Sequence, residues 1–132
     1  MRVKTIEWKN GKMRIVDQTR LPGKLVYKEC ETPAEAWRAI KRLEVRGAPA
    51  IGIAGAMGVV LGIRKSRAAD YERFIGEVRE VADFLGTSRP TAVNLFWALR
   101  RMKETAARHR TDDIPRLKKI LEREAVKILE ED

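Results

Sequence analysis

The sequence predicts an α+β fold: a small N-terminal antiparallel sheet of about three strands, followed by a bundle of about five helices. Three observations predict it. Asn10-Gly11 separates two short alternating runs, the pattern of a tight hairpin. Thr32-Pro33-Ala34-Glu35 is a capping box with proline at the first helical position. Beyond it, apolar residues recur at helical rather than alternating spacing.

The strands come first. Thr5-Ile6-Glu7-Trp8 and Lys12-Met13-Arg14-Ile15-Val16 flank Asn10-Gly11, whose residues accept the positive φ of a type I′ turn. Leu21-Pro22-Gly23 makes the next turn, and Leu25-Val26-Tyr27 reads as the third strand. A β-meander over residues 1–29 and a helical part over residues 32–130 thus divide a single domain, 1–132, with no linker, repeat or low-complexity stretch between them.

The first helix carries Trp37, Ile40 and Leu43 at helical spacing and is broken by Arg46-Gly47-Ala48-Pro49, which also starts the second. That second helix, Ala48 to Ile63, is apolar all round, with Gly52, Gly55, Gly58 and Gly62 clustered on part of its circumference. Each interior glycine costs about 1 kcal/mol of helix propensity, which a fold accepts where another backbone approaches closely. It is therefore expected to be the central helix. Asp70 should cap a third helix with Tyr71, Phe74, Ile75, Val78, Ala82 and Leu85 inside and Gly86 at its end. Pro90 should open a fourth, bearing Val93, Leu95, Phe96, Leu99 and Met102. Asp113 and Pro115 should open a fifth, with Leu117, Ile120, Leu121, Ala125 and Ile128 on one face. The chain ends on Glu130-Glu131-Asp132, which reads either as a natural tail or as a cut after a helix.

Composition excludes several classes. With 44% hydrophobic and 36% charged residues, the 132-residue chain is globular rather than disordered. The second helix holds Pro49 and four glycines and is shorter than the roughly 20 residues a span needs, so it reads as buried, not transmembrane. No signal peptide follows Met1, and Cys30 is the single cysteine, so no internal disulfide forms; both fit a cytoplasmic protein. Cys30 itself reads as a small core residue. The net charge is +9, with 14 basic and 6 acidic residues over 1–66 and 14 and 13 over 67–132. The early excess (Arg2, Lys4, Lys9, Lys12, Arg14, Arg20, Lys24, Lys28) is spread thinly, without a compact block or stacking aromatics. Nucleic acid is therefore not the expected partner.

Two segments share one physical plan. Arg46-Gly47-Ala48-Pro49-Ala50 and Ser88-Arg89-Pro90-Thr91-Ala92 each put an arginine ahead of an expected helix start. The first turn of a helix has N–H groups without intrahelical partners and about half a positive charge from the macrodipole. Arginine adds a planar fork of donors matched to phosphate oxygens, and Gly47 lets a ligand reach the backbone. Local pattern alone favours the plainer reading of two surface arginines in polar connectors. No phosphate-cradling Gly-Lys-Ser/Thr loop or dinucleotide fingerprint is present.

Other chemistry is thin. His109, between Arg108 and Arg110, reads as exposed, and no Cys/His cluster has metal-ligand spacing. No Ser-His-Asp or Cys-His set can be assembled. No metal or cofactor is expected.

The two arginine segments, extended to Arg46-Gly47-Ala48-Pro49-Ala50-Ile51-Gly52 and Ser88-Arg89-Pro90-Thr91-Ala92-Val93-Asn94-Leu95, resemble signature segments of the methylthioribose-1-phosphate isomerases. Thr5-Ile6-Glu7-Trp8 and Asp17-Gln18-Thr19-Arg20-Leu21-Pro22 support the resemblance, which runs along essentially the whole chain. That family is related to the regulatory subunits of translation initiation factor 2B and to ribose-1,5-bisphosphate isomerase. The resemblance implies an aldose–ketose isomerase of methionine salvage that converts 5-methylthioribose 1-phosphate to 5-methylthioribulose 1-phosphate. It implies substrate binding by Arg46, Gly47, Ala48 and Arg89, and a possible homodimer. The family's Rossmann-like C-terminal domain, with its Thr-x-Cys-Asn-x-Gly motif and catalytic Asp, is missing, and Cys30 does not match that motif. The chain is thus expected to hold binding residues, no catalytic ones, and to be inactive alone, facing its own C-terminal domain in a full-length protein. The alternative is a regulatory or scaffolding module like the initiation-factor relatives, acting through protein partners.

Overall fold

The computed structural model describes residues 4–131; Arg2 and Asp132, which entered the charge and chain-end readings, lie outside the described residues. Three strands, β1 (Ile6–Lys9), β2 (Lys12–Val16) and β3 (Tyr27–Cys30), form one antiparallel sheet in the order β1-β2-β3. Five helices follow: α1 (Pro33–Lys41), α2 (Ala48–Ile63), α3 (Tyr71–Gly86), α4 (Val93–Arg108) and α5 (Ile114–Glu131). The α+β arrangement is the one the sequence predicts.

At the hairpin, Lys9 pairs with Lys12 across a two-residue turn in which Asn10 has φ 54° and Gly11 φ 72°. Both positive angles are those a type I′ turn requires. The third strand runs later than expected. Leu25 is exposed, whereas Cys30 pairs with Met13 and is buried, so the ladder follows the alternation that ends in Cys30 instead of the apolar triplet Leu25-Val26-Tyr27. Between β2 and β3, a 3-10 turn at Gln18–Arg20 is capped by Asp17, and Leu21–Pro22 is cis.

Helix α2 is the core of the bundle, buried almost throughout and packed against every other helix and the sheet. Its glycines face different neighbours. A β-carbon on Gly52 would lie 3.0 Å from the Asn94 carbonyl oxygen, and one on Gly55 would meet the Leu95 side chain, so α4 crosses here at backbone distance. Gly58 and Gly62 face Leu85 and Val81 of α3. The sheet closes one end of the bundle: Trp8 Nε1 donates to Glu122 Oε2 of α5 at 2.8 Å, and Arg64, just past α2, donates to the Gly11 carbonyl at 2.6 Å.

Two helix boundaries differ from expectation, and a third falls at Gly86 as expected but is made by another device. The helix α1 stops at Lys41, before Arg46-Gly47. Leu43 adopts φ 59°, its N–H bonds the Ile40 carbonyl, and the Glu44 N–H bonds the Ala39 carbonyl. This is a Schellman stop with leucine where glycine is usual, and the sequence gives no sign of it. Gly86 is the last residue of α3, not a left-handed cap: it is buried beneath the Phe96 ring, and the stop is made by hydroxyls. Thr87 Oγ1 donates to the Phe84 carbonyl and Ser88 Oγ to the Leu85 carbonyl, both at 2.6 Å. Pro90 does not open α4. It sits second in the turn Arg89-Pro90-Thr91-Ala92, closed by the Ala92 N–H on the Arg89 carbonyl at 3.0 Å, and the helix begins at Val93. Proline suits both positions, and the turn is the one formed here. The inner face of α4 is Leu95, Ala98, Leu99, Met102 and Ala106, while Val93 is 79% exposed.

Among the described residues, no helix is long and apolar enough to cross a membrane.

Candidate functional site

The residues singled out from the sequence stand at or just ahead of the starts of α2 and α4. The two helices lie side by side, and Gly52, in the second turn of α2, faces the Asn94 carbonyl in the first turn of α4. Gly47 is the N-cap of α2, with φ 92° and ψ 138° and open space where a side chain would be. That backbone conformation favours glycine. Pro49 occupies the first turn, as expected, and Arg46 projects to solvent immediately before Gly47. Arg89 is half-buried and lies three residues ahead of Ala92, the N-cap of α4, rather than directly at the helix start.

Capping separates these two helices from the rest. Thr32 Oγ1 accepts from the Glu35 N–H at the start of α1, Asp70 from the Arg73 N–H at α3, and Asp113 from the Arg116 N–H at α5. The N-caps of α2 and α4 are Gly47 and Ala92, neither of which makes a side-chain cap, and neither first turn contains an acidic residue. Each of these 16-residue helices therefore presents free N–H groups and the positive end of its dipole. Among the described residues, the ion pairs formed by other arginines (Arg14, Arg20, Arg101, Arg110) have no counterpart at Arg46 or Arg89. The local field is thus positive, and the donors needed to bind a phosphate are unspent.

Beside these helix starts lies a cleft of about 210 Å³, walled by Pro49, Gly52 and Ile53 of α2, Asn94 and Trp97 of α4, and Ile128 of α5. Glu131 also borders it. Its charge is held by Arg101, whose Nη1 and Nη2 donate to the two carboxylate oxygens at 2.6 and 2.7 Å, while Nε donates to Glu124 at 2.6 Å. These hydrogen bonds pull the Glu131 carboxyl below the usual carboxylate range. Arg101 offsets one of the two carboxylates it holds, and Glu131 stays ionised at the rim of the cleft.

The connector carrying Arg46 is anchored by charges that the sequence reading did not single out. Asp17 and Glu44 are both buried, and Lys28 lies between them, with Nζ donating to Glu44 Oε2 at 2.7 Å and 3.5 Å from Asp17 Oδ2. Burial alone would raise the Asp17 carboxyl, but hydrogen bonds from the Thr19 hydroxyl and N–H, with the Lys28 charge, bring it below its ordinary value. The hydrogen bond to Glu44 leads the influences that raise Lys28. A Lys-Glu pair sixteen residues apart has no local periodicity, so only the fold brings it together.

The remaining candidates behave as structural residues. Cys30 is buried, and desolvation, with the Glu35 and Glu44 charges, pushes its thiol up to about 11. That is the opposite of an activated nucleophile. His109 is exposed at the end of α4, its Nδ1 2.8 Å from the Thr105 carbonyl.

Comparison with known proteins gives these helix starts a context. The chain is 49% identical over 127 residues to the 5-deoxyribose 1-phosphate isomerase of Moorella thermoacetica, covering 96% of this chain and 36% of that protein. It is 55% identical over 118 residues to the methylthioribose-1-phosphate isomerase of Symbiobacterium thermophilum, covering 89% and 33%. The chain thus spans about a third of the length of the curated relatives it matches. Among solved structures, 5-methylthioribose 1-phosphate isomerase from Pyrococcus horikoshii superposes with a TM-score of 0.92 at 37% identity, over 99% of this chain and 37% of that one. Subunit delta of translation initiation factor eIF-2B from A. fulgidus superposes with a TM-score of 0.89 at 40% identity, over 99% and 38%. The Initiation factor 2 subunit family model matches residues 44–132, which take in both arginine segments and all of α2 through α5. With most of its length inside that match, the chain belongs to the Initiation factor 2 subunit family.

Proposed function

We propose that this chain is the phosphate-holding part of an aldose–ketose isomerase whose substrate is 5-methylthioribose 1-phosphate. Arg46, Gly47, Ala48 and Arg89 bind the substrate, and the acid and base that move hydrogen between C1 and C2 belong to parts of the whole protein outside these 132 residues. The observation that carries the reading is the pair of uncapped helix starts, α2 and α4, each accompanied by an arginine. The names of the relatives agree with it: 5-deoxyribose 1-phosphate and methylthioribose 1-phosphate share a pentose 1-phosphate, the group such a site would grip.

The division of labour follows from chemistry. Isomerisation requires ring opening and proton movement, hence a general acid and base with pKa values near working pH. Arginine stays protonated at all ordinary pH and is suited to orienting a phosphate, not to shuttling protons. With one wall of the cleft exposed, binding by the chain alone is weak.

The test is a titration of the 132-residue chain with ribose 1-phosphate followed by ³¹P line broadening. Broadening that is lost in Arg46→Ala and Arg89→Ala supports the reading; equal broadening in wild type and both variants sinks it.

A second reading draws on the eIF-2B neighbour: a regulatory module that works through protein partners. Capture of translation initiation factor 2 without binding of ribose 1-phosphate would move it to first place.

A further inference from the structure

We infer that Lys28 is a positioning residue for the anion site: by bridging Asp17 and Glu44 it fixes the connector that presents Arg46 and Gly47 ahead of α2. This rests on the phosphate-binding role proposed above for Arg46.

The connector between α1 and α2 runs only from Arg42 to Gly47, and it needs an anchor. Its first half contains Leu43 at φ 59°, a conformation that an L residue holds only when its surroundings enforce it. Glu44, the next residue, is gripped twice. Its backbone carbonyl accepts from the Gln18 N–H at 2.9 Å, and its carboxylate accepts from Lys28 Nζ at 2.7 Å. Both partners belong to the sheet side of the molecule, one just after β2 and the other within β3. Lys28 is in turn held by Asp17, which is 1% exposed and committed to the Thr19 N–H and hydroxyl at 3.0 and 2.6 Å. Val45 is buried in the core directly after Glu44, and Arg46 follows at the surface.

Without the cation, two buried carboxylates would face each other, and the tie between sheet and connector would be reduced to one backbone hydrogen bond. Freed at Glu44, the backbone two residues later would no longer hold the Arg46 guanidinium and the Gly47 N–H in one geometry. Small displacements of a binding group cost heavily, because orientation supplies much of what such a site does. Lys28 touches no ligand in this account; it acts through Glu44.

The experiment compares Lys28→Met and Lys28→Arg in the 132-residue chain, with Glu44→Gln as the milder variant should Lys28→Met fail to fold. Amide exchange is read residue by residue, and ribose 1-phosphate affinity is read by titration. The expected result is exchange at Glu44–Gly47 faster by about tenfold in Lys28→Met, with α3 and α4 unchanged. Affinity should fall by about tenfold, and Lys28→Arg, which can fork between two carboxylates, should restore both. Unchanged exchange at Glu44–Gly47 overturns the inference. So does faster local exchange with affinity intact, or an Arg variant as impaired as the Met one. Failure of the functional reading looks different: the wild-type chain would then not bind ribose 1-phosphate, and Arg46→Ala would change nothing.

Discussion

Replacing Gly52 with alanine perturbs a place where the backbones of the two candidate helix starts meet. In an open helix, Gly→Ala gains about 1 kcal/mol by restricting the unfolded chain and improving helix propensity. Gly76 in α3 is such a site, with no heavy atom within 4 Å of an added β-carbon, so Gly76→Ala should stabilise by about that amount. At Gly52 the new carbon would stand 3.0 Å from the Asn94 carbonyl oxygen, 3.5 Å from its carbon and 3.6 Å from the Ala98 β-carbon. The carbonyl is main chain within the first turn of α4 and cannot rotate aside. Relief requires α4 to move away from α2 by a few tenths of an ångström, and overpacking of this kind costs about 1–3 kcal/mol. The propensity gain is therefore offset or reversed, leaving Gly52→Ala about 2 kcal/mol less stable than Gly76→Ala. Urea denaturation of both variants beside wild type measures the difference, and thermal midpoints should separate by roughly 6–10 °C. Equal stabilisation by the two substitutions would refute the reasoning, because it would mean that α4 is not seated against the backbone of α2 at this point.

Three further outcomes follow from the same geometry. The Asp17 carboxyl is held below its ordinary value by the Thr19 hydrogen bonds and the Lys28 charge, so its stabilising contribution is present above that ordinary value and lost as pH falls through the lower folded one. Urea midpoints measured from pH 6 to pH 2 should fall more steeply for wild type than for Asp17→Asn, which at neutral pH is less stable by about 1–2 kcal/mol, Lys28 being partly exposed. Cys30, with its thiol pushed up to about 11 and its side chain buried, should resist a thiol-specific reagent at pH 8 until denaturant is added. The 132-residue chain should show no isomerisation of 5-methylthioribose 1-phosphate by NMR; turnover abolished in Arg46→Ala would overturn the assignment of catalysis to residues outside it.

Local signals in the sequence were reliable where a single segment decides its own structure. Asn10-Gly11 makes the turn, Thr32, Asp70 and Asp113 cap their helices, and the apolar run from Ala48 to Ile63 is α2 residue for residue. Ambiguity appeared where one residue type serves two roles. Pro90 fits the first turn of a helix and the second position of a β-turn equally well, and here it takes the turn that follows the hydroxyl-made stop of α3. Leu43 in a left-handed stop contradicts its own propensity and was invisible for that reason. The third strand reads too early in the sequence because Leu25-Val26-Tyr27 outweighs Lys28 and Glu29 in apolar content, whereas the ladder places Cys30 opposite Met13. Of the candidate site, the arginines and Gly47 were legible because they stand beside punctuating residues. The Asp17–Lys28–Glu44 bridge was not, since its partners are distant in sequence and look like ordinary surface charges until the fold buries two of them.

The most direct test of the account is to map amide shifts on the labelled chain during titration with ribose 1-phosphate. The account predicts that the largest shifts fall on Gly47, Ala48 and Ala50 at the start of α2 and on Val93 and Asn94 at the start of α4, together with the Arg46 and Arg89 side-chain signals. Shifts confined to other basic surfaces, such as Arg64 or Lys118, with both helix starts silent, would contradict it.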